Sequence, residues 1–296
     1  MNSKNAILGL LTETSLHAGA GQALGVIDLP IQREAHTSWP CVFGSAVKGA
    51  LRARAEDAGL DDVEAIFGPE LDKKGDKIEF AGALSVGDAR LLLLPVRSLT
   101  THFRWVTCPA ALRRFQRDTQ RLGIAKFDGF KVPGVDGETA LVAEPAGDWL
   151  YLEEYRFKVD ATQAESLDKV VAALAGLLPD GLEGPLKKQL AIVADDGFRH
   201  LAEHATPVHA HVRLDENKTV ARGALWYEES LPPETLLYVG LNAVDARTQD
   251  SALKAAEVLG RVRDGLFGKH PYLQLGGNET VGMGWCGVRY VTGSEG

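Results

Sequence analysis

The sequence predicts an α+β fold, with helices on one face of a mainly antiparallel sheet. Three observations predict it. Strand-like and helix-like runs are interleaved along the 296 residues without a βαβ unit of fixed length. No internal repeat or low-complexity stretch divides the chain, whose length allows one large domain with insertions or two ordinary ones. Residues 208–214 alternate, with Val208, Ala210, Val212 and Leu214 on one face and His209, His211 and Arg213 on the other. Together with 219–228 they predict an antiparallel hairpin over Asp215-Glu216-Asn217-Lys218.

In chain order, residues 6–16 are an apolar run that predicts a buried first strand. Gly19, Gly21 and Gly25 mark a loop. Val26-Ile27-Asp28-Leu29-Pro30 is an extended piece that ends where Pro30 cannot donate to a ladder. A helix is expected over residues 46–58, with Ser45 as its N-cap. Residues 68–78 are a polar loop, and strand material returns at 79–96, broken by a turn at Gly87-Asp88. Pro109 opens a helix where its missing N–H costs little, and Gly123 closes it. Residues 123–148, rich in Gly, Pro and Asp, are expected to be a long loop insertion, and 149–159 a strand. Thr162-Gln163-Ala164-Glu165 has the spacing of a capping box, opening a helix that Pro179 stops. After the hairpin come a strand at 235–244, a helix at about 250–267, and short strands at 272–276 and 285–291 around a Gly-rich turn.

Hydrophobic residues make up 45% and charged residues 24%, enough to bury a sizeable core without staples. No apolar run is long enough to cross a bilayer, so no membrane is expected as a partner. The opening Met1-Asn2-Ser3-Lys4-Asn5-Ala6 lacks the features of a signal peptide. Cys41, Cys108 and Cys286 are scattered and odd in number, which fits neither a disulfide framework nor a zinc knuckle and points to the reducing cytoplasm. Lys and Arg total 32 against 40 Asp and Glu, a net charge of −8. A chain that coats nucleic acid unaided is usually basic, so any RNA contact must use local basic clusters or basic partner subunits.

Several motifs carry chemistry-bearing residues, and each has a structural alternative. The stretch from His17 to Gly25 follows a strand, but its glycine spacing is not that of a dinucleotide loop and Pro30 arrives before any helix. It is a glycine-permitted turn, or a loop that lets a polyanion or neighbouring subunit approach. Asp28, an acid among apolar neighbours, is a turn-forming side chain or a poised carboxylate. The run Gly44 to Arg52 presents free N–H groups at a helix start, where phosphate sits well, and puts Lys48 and Arg52 on one face. The alternative is a solvated amphipathic helix. Gly277 and Gly282 have phosphate-loop spacing, but Met283 stands where the lysine is needed, leaving a tight turn or a backbone nest for phosphate. Arg104, Arg113, Arg114, Arg117 and Arg121 form a basic region, either solvated or a local attractor of RNA. His200, His204, His209 and His211 are surface or base-stacking residues, or else a zinc site without the metalloprotease order. Trp226 and Tyr227 are half-buried strand residues, or aromatic wedges against bases.

Together and in this order, these motifs resemble the RAMP superfamily of CRISPR proteins, in particular the repeated backbone subunit of the type III-B (Cmr) silencing complex. The marks are His17-x-Gly-x-Gly, Gly25-Val-Ile-Asp28-Leu-Pro-Ile-Gln-Arg-Glu34, Trp39-Pro40, Gly44-Ser-x-x-Lys48-Gly-x-x-Arg52, Leu225-Trp-Tyr-Glu-Glu-x-Leu-Pro232 and Gly276-Gly-Asn-Glu-Thr-Val-Gly-x-Gly284. They span residues 17–284, nearly the whole chain. The Asp28 segment is specific to that subunit, and the C-terminal glycine loop is general to the superfamily.

The resemblance implies a single domain over 1–296, built on a ferredoxin-like (RNA-recognition-type) palm with large insertions. One insertion is a β-hairpin thumb at about 200–232; another is the loop at about 123–148. It implies copies stacked in a helical assembly along a CRISPR guide RNA, beside other Cmr subunits. Each thumb would interrupt the guide–target duplex, and each copy would cut the single-stranded target RNA there with a divalent metal, Mg²⁺ or Mn²⁺. Asp28 is the implied cleavage residue and metal ligand, supported by His17, Asp88, Glu228 and Glu229. Lys48 and Arg52 are implied guide-backbone contacts. Ser45, Trp226, Tyr227, Gly276, Gly277, Gly282 and Gly284 join them as RNA contacts.

The chemistry agrees with that role. RNA brings its own nucleophile, the 2′-OH, so cleavage needs in-line geometry, a base and charge relief at phosphate. Asp28 serves as base or holds a hydrated Mg²⁺, and the segment has too few acids for a two-metal site. Two other functions compete: a scaffold that binds guide RNA without cutting, and a metal-dependent hydrolase of small substrates built on the histidines.

Overall fold

The N-terminal apolar run forms β1 (Ser3–Thr12), in which every residue from Ala6 to Thr12 is buried. A strand with no solvated face must be covered on both sides, and that requirement organises the molecule. The computed structural model describes residues 3–69, 80–145 and 147–293. The chain continues through β2 (Cys41–Val42), α1 (Gly44–Asp57), α2 (Val63–Phe67), β3 (Leu84–Val86), β4 (Ala89–Arg97), β5 (Phe103–Thr107) and α3 (Pro109–Arg121). Next come β6 (Thr139–Val142), β7 (Trp149–Leu152), β8 (Tyr155–Asp160), α4 (Ala164–Ala175), α5 (Glu183–Gln189), β9 (Leu190–Val193) and α6 (Asp195–His204). The hairpin strands β10 (Val208–Leu214) and β11 (Val220–Glu229) precede β12 (Leu236–Val244), α7 (Ala255–Gly260), β13 (Tyr272–Gln274) and β14 (Trp285–Thr292).

The main sheet runs β13-β14-β1-β12-β4-β5-β9-β6-β8-β7, with β2 paired to β4 and β3 to β12. Its pairings are antiparallel except β5 with β9 and β6 with β8. This is the expected α+β class with a mainly antiparallel sheet. The expectation of helices on one face is corrected. Ala6, Leu8 and Leu10 of β1 point into a core with Val47 and Leu51 of α1 and Phe198 of α6. Ile7 and Leu11 point into a second core with Leu112 and Phe115 of α3 and Leu167 and Val170 of α4. An apolar run without alternation signals burial on both faces, and here both faces carry helices.

Other differences have local causes. α1 begins at Gly44 after Phe43, so Ser45 lies inside its first turn and does not cap it. The cap comes from elsewhere: the Asp88 carboxylate accepts from the Gly44 N–H at 2.7 Å. A Cβ at Gly44 would meet the Val86 carbonyl at 2.7 Å, which explains the glycine there. The 162–165 capping box is not formed, because Thr162 donates back to Asp160 and Gln163 precedes α4 without a side-chain bond. The expected strand at 149–159 is a hairpin, turned at Glu153 with φ 49°. The expected loop at 123–148 holds β6, which joins β9 to β8, and buries Phe127 and Phe130. Arg104 lies in β5, buried, rather than beside the arginines of α3. The polar loop expected at 68–78 falls mostly outside the described residues.

Candidate functional site

β10 and β11 form a two-stranded sheet separate from the main one. They pair with Ala210 opposite Tyr227, His211 opposite Trp226 and Val212 opposite Leu225, and the register shifts between Val212 and Leu214. The tip is held by Asp215, whose carboxylate accepts from the N–H groups of Asn217 and Thr219 and from the Thr219 hydroxyl. One face carries Val208, Val212, Leu225 and Tyr227, all exposed. On the other face the His211 ring stacks on Trp226, centroids 5.6 Å apart. The Trp226 indole N–H is buried with no partner.

The foot of β11 receives the Asp28 segment. Leu29 N–H donates to the Tyr227 carbonyl at 3.1 Å and Glu229 N–H donates to the Leu29 carbonyl at 3.0 Å. Just before the first of these, the Asp28 Oδ2 accepts from the Tyr227 N–H at 2.8 Å. Asp28 is half-buried, and the loop before it, from Gly21 to Val26, is exposed. The Asp28 side chain does not close a local turn. Its carbonyl closes a local turn with the Ala23 N–H at 3.0 Å, while its carboxylate is oriented by a strand 199 residues away.

His17, Glu228 and Glu229 meet at the same foot. His17 is buried, and its Nδ1 lies 2.7 Å from the Glu229 carbonyl. A carbonyl only accepts, so Nδ1 carries a proton, and in the neutral ring Nε2 is left as an acceptor. Glu228, also buried, accepts from the Asn278 side-chain amide and lies 3.7 Å from His17 Nδ1. Glu229 turns the other way. It accepts from Arg33 at 2.5 Å, Thr206 at 2.6 Å and the Ile31 N–H at 3.1 Å. Arg33 also donates to the carbonyls of Ser38 and Ala202. Glu229 thus anchors the hairpin inward, and Glu228 faces His17.

The C-terminal glycine loop is stitched to the same place. Gly277 N–H donates to the His17 carbonyl at 2.8 Å, and Gly284 N–H to the Ser15 carbonyl at 2.8 Å. A Cβ at Gly276 would lie 2.3 Å from the His17 carbonyl oxygen, and one at Gly284 would lie 1.9 Å from that of Leu275. These two glycines are required by contacts within the chain. Gly282, at φ 82°, stands in open space.

Asp88, Ser45, Lys48 and Arg52 gather instead at α1. Ser45 is exposed at its start. Lys48 is half-buried, and burial, then the neighbouring Arg52 charge, push its ammonium below the usual lysine range. Arg52 donates to Glu56 and to the Gly68 carbonyl, each at 2.7 Å. The two groups are bridged by Gln32, which the sequence did not single out: its amide donates to the Gly19 carbonyl and accepts from the Phe43 N–H. Asn278 was likewise visible only as part of a glycine motif.

In α3, Arg113 pairs with Asp195 and Arg121 with Asp118. Arg114 donates twice to Glu34, so the arginine group is divided among local acids. The cysteines are buried, which raises their thiols to about 11 for Cys41 and about 12 for Cys108 and Cys286. Among the described residues no group of three or more His, Cys, Asp or Glu is placed to hold a metal ion. His200 bonds the Tyr155 hydroxyl, and its ring lies 4.5 Å from that of His204. Among the described residues no helix is long and apolar enough to cross a membrane.

Comparison with known proteins identifies the family. Residues 10–287 match the family model for the RAMP superfamily. The CRISPR system Cmr endoribonuclease Cmr4 of Pyrococcus furiosus is 38% identical over 292 residues, covering 96% of this chain and 95% of that one. The crystal structure of oligomeric Cmr4 from the same organism superposes with a TM-score of 0.75 at 32% identity, covering 99% of both chains. A chain of the type III-B Cmr-beta complex bound to cognate target RNA matches with a TM-score of 0.72, covering 98% of this chain and 97% of that one. At 18% identity that is a likeness of fold. An Asp28 segment clasped to a hairpin foot, and a glycine loop sewn to His17, therefore sit in a chain that belongs to the RAMP superfamily and, within it, to the Cmr4 family.

Proposed function

We propose that this chain is a backbone endoribonuclease subunit of a type III-B Cmr complex. It stacks with copies of itself and with other Cmr subunits, holds a CRISPR guide RNA, and cuts paired target RNA. The name and 38% identity of the Pyrococcus furiosus relative support this. The single observation that carries the catalytic part is the Asp28 carboxylate, half-exposed, held by one oxygen at the foot of a projecting hairpin. In this reading the domain is a ferredoxin-like palm and the hairpin is its thumb, within an insertion at about 200–232. The acidic chain relies on assembly to hold RNA, and its compartment is the cytoplasm, in keeping with three free, buried thiols.

The chemistry follows from the foot. The thumb unstacks the target strand, which brings a 2′-OH in line with its own phosphate. Asp28, oriented through Oδ2 by the Tyr227 N–H, uses Oδ1 towards that hydroxyl or towards a cation. His17, held in its tautomer by the Glu229 carbonyl, keeps Nε2 as an acceptor beside the bare Gly19. Glu228 and Asn278 keep that ring and the glycine loop in register. A protein cage for a metal does not fit the donors present, since no three ligands converge among the described residues. The free Oδ1 of Asp28 would hold a largely hydrated Mg²⁺ or Mn²⁺. When bound there, the ion supplies charge relief at the phosphate. Lys48 and Ser45, at the start of α1, take a guide phosphate.

The test is Asp28→Asn in the assembled complex. Target cleavage should fall by about 10²–10⁴-fold, the worth of a positioned acid–base group, while guide and target binding persist. Undiminished cutting would leave the chain a scaffold.

A further inference from the structure

At the edge of the main sheet a pocket of about 470 Å³ is lined by Glu13, Arg54, His270, Tyr272 and Trp285. Its walls come from three places. Tyr272 of β13 pairs with Gly287 and Gln274 with Trp285, so Tyr272 and Trp285 share one face as diagonal neighbours. Both rings are unusually open for their size, 46% and 43% exposed. Glu13 follows β1 directly opposite, its N–H bonded to the Trp285 carbonyl at 2.8 Å. Its carboxylate lies over the bare Gly287, where a Cβ would come within 2.8 Å of Oε1. Arg54 reaches in from the last turn of α1, and its Nε–H is buried with no acceptor.

We propose that this pocket binds one unpaired RNA nucleotide and prefers guanine. Two open rings at a strand edge offer stacking area that no protein group covers, and base stacking on such rings is how unpaired RNA is held. The polar groups then choose among bases. The carboxylate of Glu13 accepts from paired N–H donors on one edge, and the Arg54 guanidinium donates to oxygen or nitrogen acceptors on the other. Guanine presents N1–H and N2–H₂ on one edge and O6 and N7 on another. Uracil presents a single N–H. The carboxylate also makes the pocket a poor seat for phosphate alone. The pocket adjoins the glycine loop, whose Gly284 N–H meets the Ser15 carbonyl just before Trp285. It shares no residue with the Asp28 foot, so the proposal stands apart from the cleavage reading.

The experiment is a fluorescence titration of the full chain with guanosine 5′-monophosphate and with uridine 5′-monophosphate, using Trp285→Phe to isolate the signal. Saturable quenching is expected, with guanosine binding at least about tenfold tighter, the worth of one matched pair of base hydrogen bonds. Glu13→Gln, at an exposed position, should erase that preference, and Asp28→Asn should leave it intact. Equal affinity for both nucleotides, no saturable quenching, or quenching that follows protein concentration alone would overturn the proposal. The last of these would make the pocket a contact between copies.

Discussion

Strand β1 and the hairpin β10–β11 are both antiparallel and both rich in aliphatic residues, yet they meet opposite surroundings. From Ala6 to Thr12 β1 is buried without interruption, between β12 and β14 and between two cores. In β10 no residue is buried, and in β11 only Ala224, Glu228 and Glu229 are. Val212 and Leu225, directly opposite one another, are 48% and 54% exposed. The sheet is held by apolar burial, and the hairpin by an ion pair and hydrogen bonds at its foot. An alternating pattern thus marks an apolar face without saying what covers it. Here nothing among the described residues covers it.

Substitutions can break or sharpen that contrast. The largest effect is expected from Leu8→Ala in β1, which should cost about 2–5 kcal/mol in equilibrium urea unfolding, the range for a truncated core leucine. Glu229→Ala should cost about 3 kcal/mol, because it leaves Arg33 uncompensated at the hairpin foot; hydrogen exchange should show β10–β11 loosening ahead of the sheet. Gly284→Ala sets a Cβ against the Leu275 carbonyl at φ 84° and should cost about 1–3 kcal/mol, read as a lowered melting temperature. The smallest effect belongs to Leu225→Ser at the exposed face, within about 0.5 kcal/mol in the same urea assay. Equal losses for Leu8→Ala and Leu225→Ser would show that the hairpin's apolar face is covered within the monomer after all.

The sequence by itself determined the order of most elements, the hairpin with its turn, and the succession of motifs that marks the family. These depend on neighbours in the chain: alternation, a proline at a helix start, glycines at tight turns. It concealed β6, because four apolar residues in a Gly- and Pro-rich stretch look like loop until β8 and β9 flank them. It concealed the cap of α1, which comes from Asp88, 44 residues onward. Only the tertiary structure decided which acid does what. Asp28 is oriented by Tyr227, 199 residues away, and Glu229 is neutralised by Arg33, 196 residues away, while Glu228 beside it turns to His17 and Asn278. Adjacent strand residues point to opposite faces, so two neighbouring glutamates of the same chemistry were bound to separate, one towards Arg33 and one towards His17.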